Sequence, residues 1–114
     1  MSERSPITTH ILDLGTGNPA AGVAVSLTRV ADTGEQHIAK GQTDADGRLS
    51  QWFQGPLQPG TYRIQFATGD WYQAQGKTAF HPRVTIDFAV VDTERHYHVP
   101  LLVNQYGYST YRGS

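Results

Sequence analysis

Hydrophobic and polar residues alternate with a period of two along much of the chain. Three runs show the pattern clearly, and in each of them every second residue is aliphatic or aromatic. Such alternation is typical of β-strands that bury one face. The apolar positions of the three runs are Val23, Val25, Leu27, Tyr62, Ile64, Phe66, Val84, Ile86 and Phe88.

Turn residues divide the pattern into eight predicted strands. Clusters of Gly, Pro, Asn and Asp separate the runs, and these residues set turn geometry but do not fit within central strands. One segment differs, because Asp70 is a candidate N-cap, Gln75 ends the segment and Gly76 follows it, which predicts a short helix. The predicted strands span about 7–14, 22–30, 35–42, 49–54, 60–66, 83–91, 96–103 and 107–113. Many short strands with regular turns predict an all-β sandwich or barrel.

The length and composition narrow the function classes. A chain of 114 residues suits one domain, which we expect to span 7–114 after a flexible N-terminus at 1–6. Cysteine is absent, which excludes disulfides, thiol nucleophiles and cysteine-ligated metals. Nine basic residues against ten acidic ones argue against a nucleic-acid partner. The longest apolar run has only four residues and the first ten contain no signal-like stretch, so we expect no membrane span and a cytoplasmic location.

Histidines are the first candidates for chemistry. Residues two apart on a strand share a face, so His96 and His98 are predicted on one side of strand 96–103, opposite its more apolar face. With a third His from the first strand they could bind zinc. They could instead be a general base and its partner, or ordinary polar residues on a solvent-exposed face. The spacing leaves all three interpretations open. The remaining histidines are His10, His37 and His81.

The segment that begins at Asp44 and ends at Gly47 has two interpretations. Its Asp-Ala-Asp-Gly sequence is similar to the start of a calcium loop, but Gly55 stands where the twelfth, bidentate Glu is required. A β-turn is the favoured interpretation. Arg48, which follows, is either a solvated charge or a guanidinium fork for an anionic or carbonyl-rich ligand.

Three motifs resemble one family. Residues 9–13, Thr-His-Ile-Leu-Asp, followed by Gly-Asn-Pro-Ala at 17–20, resemble the start of transthyretin-like proteins. His-Tyr-His-Val-Pro-Leu-Leu at 96–102 and the final Tyr-Arg-Gly-Ser at 111–114 are similar to the ending of the family's enzyme branch, the 5-hydroxyisourate hydrolases. The resemblance covers about residues 7–114. It departs from the common pattern at 104–105, where Asn-Gln replaces Ser-Pro, and at 81–82, where His-Pro replaces an aromatic-Pro pair.

The resemblance implies a fold, an assembly and a site. The implied fold is a transthyretin-like sandwich of two four-stranded sheets with one short helix. The implied assembly is a homotetramer, a dimer of dimers, with active sites in the channel between dimers. By resemblance, the catalytic residues are His10, Arg48, His98 and Ser114, and the substrate-binding residues are these four with Tyr111, Arg112 and Gly113.

The activity implied by the resemblance is hydrolysis of 5-hydroxyisourate in urate catabolism. Water activated by His10 or His98 would open the six-membered ring to give 2-oxo-4-hydroxy-4-carboxy-5-ureidoimidazoline, and Arg48 would stabilise the negative charge. Ser114 would hydrogen-bond through its hydroxyl or a terminal carboxylate. No cofactor and no metal are expected. Two alternatives are a small-molecule carrier that uses the same channel and a sandwich module that binds sugars, proteins or a metal.

Overall fold

Two β-sheets, packed against each other, form the framework of the protein in the computed structural model, which describes residues 4–114. The first three residues of the predicted N-terminal segment 1–6 lie outside the described residues. The strands are β1 (Ile7–Asp13), β2 (Asn18–Pro19), β3 (Ala24–Ala31), β4 (Gly34–Gln42), β5 (Arg48–Leu49), β6 (Gly60–Phe66), β7 (Val84–Val90), β8 (Tyr97–Val103) and β9 (Tyr108–Thr110), and the helix α1 is Thr68–Gln73.

The strand order places the N-terminal strand at the centre of one sheet. The first sheet has the order β2-β1-β8-β9. Strand β5 pairs with β1 along the same edge as β2, at Thr9 and His10, whereas β2 pairs with Leu12 and Asp13. Strands β1 and β8 are parallel. The second sheet, β4-β3-β6-β7, is antiparallel throughout. The predicted sandwich of two four-stranded sheets with one short helix is therefore confirmed, except that the two-residue strand β5 is a fifth strand of the first sheet.

The core lies between the sheets, where the alternating apolar positions meet. Along β8, Tyr97, Val99, Leu101 and Val103 are all buried in the core, as the alternation predicts. The other face of β8 contains His98 and Leu102, both partly exposed, and the buried Pro100. The predicted division of β8 into a core face and a mixed face is correct, so the first sheet turns a polar face away from the core.

The predicted strand 49–54 is wrong beyond Leu49. After β5, backbone groups of this segment bond to Ser5 rather than to a neighbouring strand: Ser50 O accepts from Ser5 N, and Trp52 N and Phe53 N donate to the Ser5 hydroxyl. Ser5 is buried, 1% exposed, so packing extends to at least two residues before the predicted domain start. The flexibility of 1–6 stays a prediction.

The predicted last strand, 107–113, is wrong after Thr110. Pro100 on β8 has no N–H to donate to an antiparallel partner, so the ladder is interrupted opposite it. The Thr110 hydroxyl donates instead to Pro100 O at 2.7 Å. Pairing resumes for one residue, where Gly113 N donates to His98 O at 2.9 Å.

The helix begins two residues earlier than predicted. It is preceded by Ala67, which makes no side-chain cap, and the candidate N-cap Asp70 lies in the first turn, where its charge suits the helix dipole. The helix is too short to cross a membrane, and the described residues contain no other candidate span. Helix α1 buries Tyr72, whose hydroxyl donates to Asp13 Oδ1 at 2.8 Å. Burial, reinforced by this bond, raises the pKa of Tyr72.

We expect Tyr72→Phe to destabilise the domain by about 1–3 kcal/mol, because it removes a donor from the carboxylate of Asp13, which is only 2% exposed. The free energy of unfolding, measured by denaturant titration, checks this. Thr61→Val is the matched control, since it also removes one hydroxyl group, from a side chain that is exposed on β6 in the second sheet. Equal stability of the two variants would contradict the assignment of a stabilising role to this bond.

Candidate active site

A cavity of about 230 Å³ opens on the outer face of the first sheet. Three residues predicted for the site, Arg48, His98 and Ser114, line it together. They come from β5, β8 and the end of the chain, segments that only the fold brings into contact. The complete lining is Arg4, Thr8, Thr9, Arg48, Ser50, His96, His98 and Ser114.

The parallel register of β1 and β8 places a hydroxyl between two imidazoles. Thr8 is paired with His98 across the strands, and its Oγ1 lies 2.8 Å from His98 Nδ1 and 3.0 Å from His96 Nε2. The two rings are stacked at an interplanar angle of 19°, with centroids 6.4 Å apart. The prediction that His96 and His98 share a face is therefore confirmed. Both rings share the Thr8 hydroxyl as a hydrogen-bond partner.

The site favours neutral imidazoles. Burial lowers the pKa of His98 below the ordinary 6.5, and the nearby charges of His96, Arg48, His10 and Arg4 lower it further. The pKa of His96 is also lowered, by burial first and by Arg4 second. A neutral imidazole has one unprotonated nitrogen, which is the form that a general base requires.

A tight turn at residues 44–47 positions Arg48 at the cavity. Gly47 N donates to Asp44 O at 2.9 Å, which closes the β-turn favoured by the sequence, and Asp44 Oδ1 accepts further hydrogen bonds from Asp46 N and Arg48 N. Gly47 has φ +73°, and a Cβ there would lie 2.5 Å from Ile11 O. Within residues 4–114, the Arg48 guanidinium has no hydrogen bond or ion pair, so its donors are available to a ligand.

His10 lies beside the cavity rather than in its lining. It is the cross-strand partner of Arg48 and, on the other side, of Pro100. Thr8 and His10 are two residues apart on β1, so they share a face. His10 is close enough to contribute to the lowered pKa of His98.

The last four residues pass across His98. Gly113 packs so closely that a Cβ would lie 2.5 Å from His98 Cδ2 and 3.1 Å from Pro100 Cγ. Beyond it, Ser114 lines the cavity. Tyr111 and Arg112 line a second cavity, of about 310 Å³, that His98 also borders. The Arg112 guanidinium carbon lies 4.5 Å from the centroid of the Tyr97 ring, a cation–π contact. The substrate-binding roles of these residues stay predictions.

Sequence reasoning missed Thr8 and Arg4. Thr8 had a usable signal, since it precedes His10 by two residues and so faces the same side of β1. Arg4 had none, because it lies in a segment with no strand pattern. No group of three or more His, Cys, Asp or Glu side chains in the described part of the chain is arranged to hold a metal ion.

Comparisons with known proteins agree on the family. The model of the HIUase/Transthyretin family matches residues 7–113. The chain is 49% identical over 114 residues to a 5-hydroxyisourate hydrolase of Caulobacter vibrioides, covering 96% of this chain and 99% of that protein.

Solved structures of a hydrolase and of a transthyretin in complex with thyroxine share the fold. The 5-hydroxyisourate hydrolase of Klebsiella pneumoniae superposes with a TM-score of 0.85 at 38% identity, covering 98% of this chain and 100% of that chain. Sea bream transthyretin in complex with thyroxine superposes with a TM-score of 0.87 at 32% identity, covering 95% and 94%. The backbone fold therefore does not distinguish the two activities, and the side chains of the site must do so.

Proposed function

Since the chain belongs to the HIUase/Transthyretin family, we propose that it is a 5-hydroxyisourate hydrolase that acts in urate catabolism. The observation that carries this proposal is the cavity where the imidazole of His98, the guanidinium of Arg48 and Ser114 meet. This set suits hydrolysis, because a base, a cationic donor and a hydroxyl converge on one small volume.

The proposed reaction is hydrolytic opening of the six-membered ring at an amide carbonyl. Water attacks the carbonyl carbon as His98 removes its proton, and negative charge develops on the carbonyl oxygen. The ring C–N bond then breaks, and the imidazolium returns the proton to the leaving nitrogen. The product is 2-oxo-4-hydroxy-4-carboxy-5-ureidoimidazoline, and one water is consumed.

His98 is the better candidate than His10 for the base. The Nδ1 atom of His98 contacts Thr8 and its Cγ–Cδ2 edge packs against Gly113, which leaves the Cε1–Nε2 edge for a substrate. His10 does not line the cavity but lies beside Arg48. We therefore assign proton transfer to His98 and substrate positioning to His10.

Arg48 supplies charge stabilisation in this mechanism. Its guanidinium has no partner within the described residues that would have to be displaced, so it can bind the carbonyl oxygen as negative charge develops. The Ser114 hydroxyl borders the same cavity and can hydrogen-bond to the substrate. Tyr111 and Arg112, in the adjacent cavity, would hold the end of the chain across the site.

A substrate assay tests the proposed function. Freshly generated 5-hydroxyisourate should lose its absorbance much faster with the purified protein than in buffer, and the rate should persist with a strong chelator present. A transthyretin-like carrier is the second candidate, favoured by the superposition on sea bream transthyretin. A carrier would bind a ligand without accelerating the loss of absorbance, and this result would overturn the hydrolase proposal.

We also propose that the protein is a cytoplasmic homotetramer, a dimer of dimers. The open edge of β9 and exposed aromatic side chains on and beside it, Tyr106 at 69% and Tyr108 at 41%, support association through this side of the first sheet. Light scattering coupled to size-exclusion chromatography should give four times the 12.6 kDa chain mass. A stable, active monomer would contradict the assembly.

We expect the pH profile of kcat/KM to have an acid limb with a midpoint below 6.5. The base must be neutral, and burial together with Arg48 and the other charges around His98 lowers its pKa below that value. Activity should therefore hold at pH 7 and fall as the pH drops through the lowered pKa of His98. A single-proton midpoint at or above 6.5 would contradict the assignment of His98 as the base.

We expect Gly113→Ala to reduce kcat/KM about 10²-fold, because the added methyl group would displace His98 or the end of the chain. Gly107→Ala is the matched control, since a Cβ there would meet only Asn104 Oδ1, at 3.9 Å. Steady-state kinetics of both variants check the prediction. Equal activity of the two variants would show that the close contact between Gly113 and His98 is not needed for catalysis.

A further inference from the structure

We propose that Thr8 and His96 are positioning residues that hold His98 in the tautomer with the proton on Nδ1, so that Nε2 presents its lone pair to the substrate. This inference rests on the proposed function, in which His98 is the base. It concerns two residues that do no chemistry on the substrate themselves, and it follows from the hydrogen-bond geometry around one hydroxyl group.

The Thr8 hydroxyl connects the two rings and has only one proton to donate. Its oxygen lies within hydrogen-bond distance of both His98 Nδ1 and His96 Nε2. The oxygen could accept from N–H groups of both rings, but the buried hydroxyl proton would then have no acceptor among the described residues. Two arrangements satisfy both contacts and also give this proton an acceptor, and in them the hydrogen bonds between His98, Thr8 and His96 point in opposite directions.

In the first arrangement His98 is a base. Its Nδ1–H donates to Thr8 Oγ1, and the Thr8 hydroxyl donates to the unprotonated Nε2 of His96. The lone pair of His98 then lies on Nε2. In the second arrangement the Thr8 hydroxyl donates to His98 Nδ1, so that Nε2 carries the proton and cannot accept another from water.

Proton uptake selects the first arrangement. The imidazolium of His98 has a proton on each nitrogen, so its Nδ1–H must donate to Thr8, and Thr8 must donate to His96. The first arrangement thus makes the same two hydrogen bonds before and after the water proton arrives. The second would require the hydroxyl to rotate and His96 to change tautomer during the reaction, which adds reorganisation that a preorganised site avoids.

The surroundings of both rings support this direction. Arg48 and Arg4 line the same cavity as His98, and a positive field favours a lone pair over an N–H on the nitrogen that faces it. His96 can accept a proton from Thr8 only while it is neutral, and burial with the charge of Arg4 lowers its pKa. Thr8 itself is 3% exposed, so water does not readily replace it as the partner of His98.

Paired substitutions at two positions test the inference. Thr8→Val removes the hydroxyl at nearly constant volume, and Thr8→Ser retains it. His96→Leu removes the acceptor, and His96→Gln can restore it with the side-chain carbonyl oxygen. Thr61→Val is the matched control, since Thr61 is exposed on β6 in the other sheet. Each variant is assayed for hydrolysis of 5-hydroxyisourate and checked for folding by circular dichroism.

We expect Thr8→Val and His96→Leu each to lower kcat about 10- to 100-fold with little change in KM, the size of effect seen when an imidazole loses its orienting partner. Thr8→Ser and His96→Gln should recover most of this loss. Thr61→Val should match the parent protein. If Thr8→Ser were folded and lost as much activity as folded Thr8→Val, the inference would be overturned.

Nitrogen-15 NMR of the imidazole rings gives a readout that does not depend on turnover. The parent protein at pH 7 should show His98 protonated on Nδ1 and unprotonated on Nε2, and Thr8→Val should shift His98 toward the Nε2–H form. A parent protein with His98 protonated on Nε2 would overturn the inference even if it hydrolyses 5-hydroxyisourate. A parent protein with the expected tautomer but no hydrolysis would overturn only the proposed function.

Discussion

Replacing His98 by Asn is expected to lower kcat for 5-hydroxyisourate about 10²- to 10⁴-fold, the contribution that a positioned general base typically makes. The asparagine side chain would retain a polar group near the position of Nδ1, so it can still contact Thr8, but it has no atom at the position of Nε2. The variant therefore removes the proposed base while disturbing the fold little. Substrate binding should change less than turnover.

Stopped-flow measurement of substrate absorbance checks this prediction. His37→Asn is the matched control, because His37 is exposed on β4 in the other sheet. The control should keep the parental rate, and both variants should keep the parental oligomeric mass. A His98→Asn rate within a few-fold of the parent rate would transfer the role of base to another group, with His10 as the next candidate.

Replacing Arg48 by Met is expected to lower kcat about 10²- to 10³-fold, as when an oxyanion donor is removed. Arg48 is exposed and makes no side-chain hydrogen bond or ion pair within residues 4–114, so its loss should cost the fold little. Arg48→Lys should recover only part of the rate, since an ammonium keeps the charge but not the planar fork of donors.

The comparison variant for Arg48 is Arg83→Met. Arg83 is also exposed but lies next to β7 in the second sheet, where it lines a different cavity. Parallel kinetics of the three variants separate a specific effect from a general loss of positive charge. If Arg48→Met and Arg83→Met were equally active, charge stabilisation by Arg48 would have to be abandoned.

The all-β class, the core face of β8 and the turn before Arg48 could be predicted because their signals are local. Period-two alternation identified which face of strand 97–103 enters the core, and this face is buried in the structure. The turn at 44–47 was predictable from its Asp and Gly residues, since a positive φ and an accepting carboxylate are local requirements.

Two strands could not be predicted correctly, because non-local partners decide where they end. The segment after Leu49 leaves the sheet because its backbone groups bond to Ser5, more than 40 residues away in sequence. The last strand stops at Thr110, whose partner is Leu101, because the next residue along β8 is Pro100, which cannot donate. Neither partner is visible from the segment's own alternation pattern.

The sequence by itself determined the all-β class and the mixed face of β8, because side-chain periodicity and turn chemistry act over a few residues. The choice of a sandwich and the candidate site residues came from the resemblance of three motifs to a family. Only the tertiary structure decided how these residues meet. The parallel pairing of β1 with β8 places Thr8 between His96 and His98. After the break in the pairing of β8 with the chain end, Gly113 lies against His98, and Ser114 reaches the cavity. Contacts between segments so far apart in sequence depend on strand order and register, which no local pattern specifies.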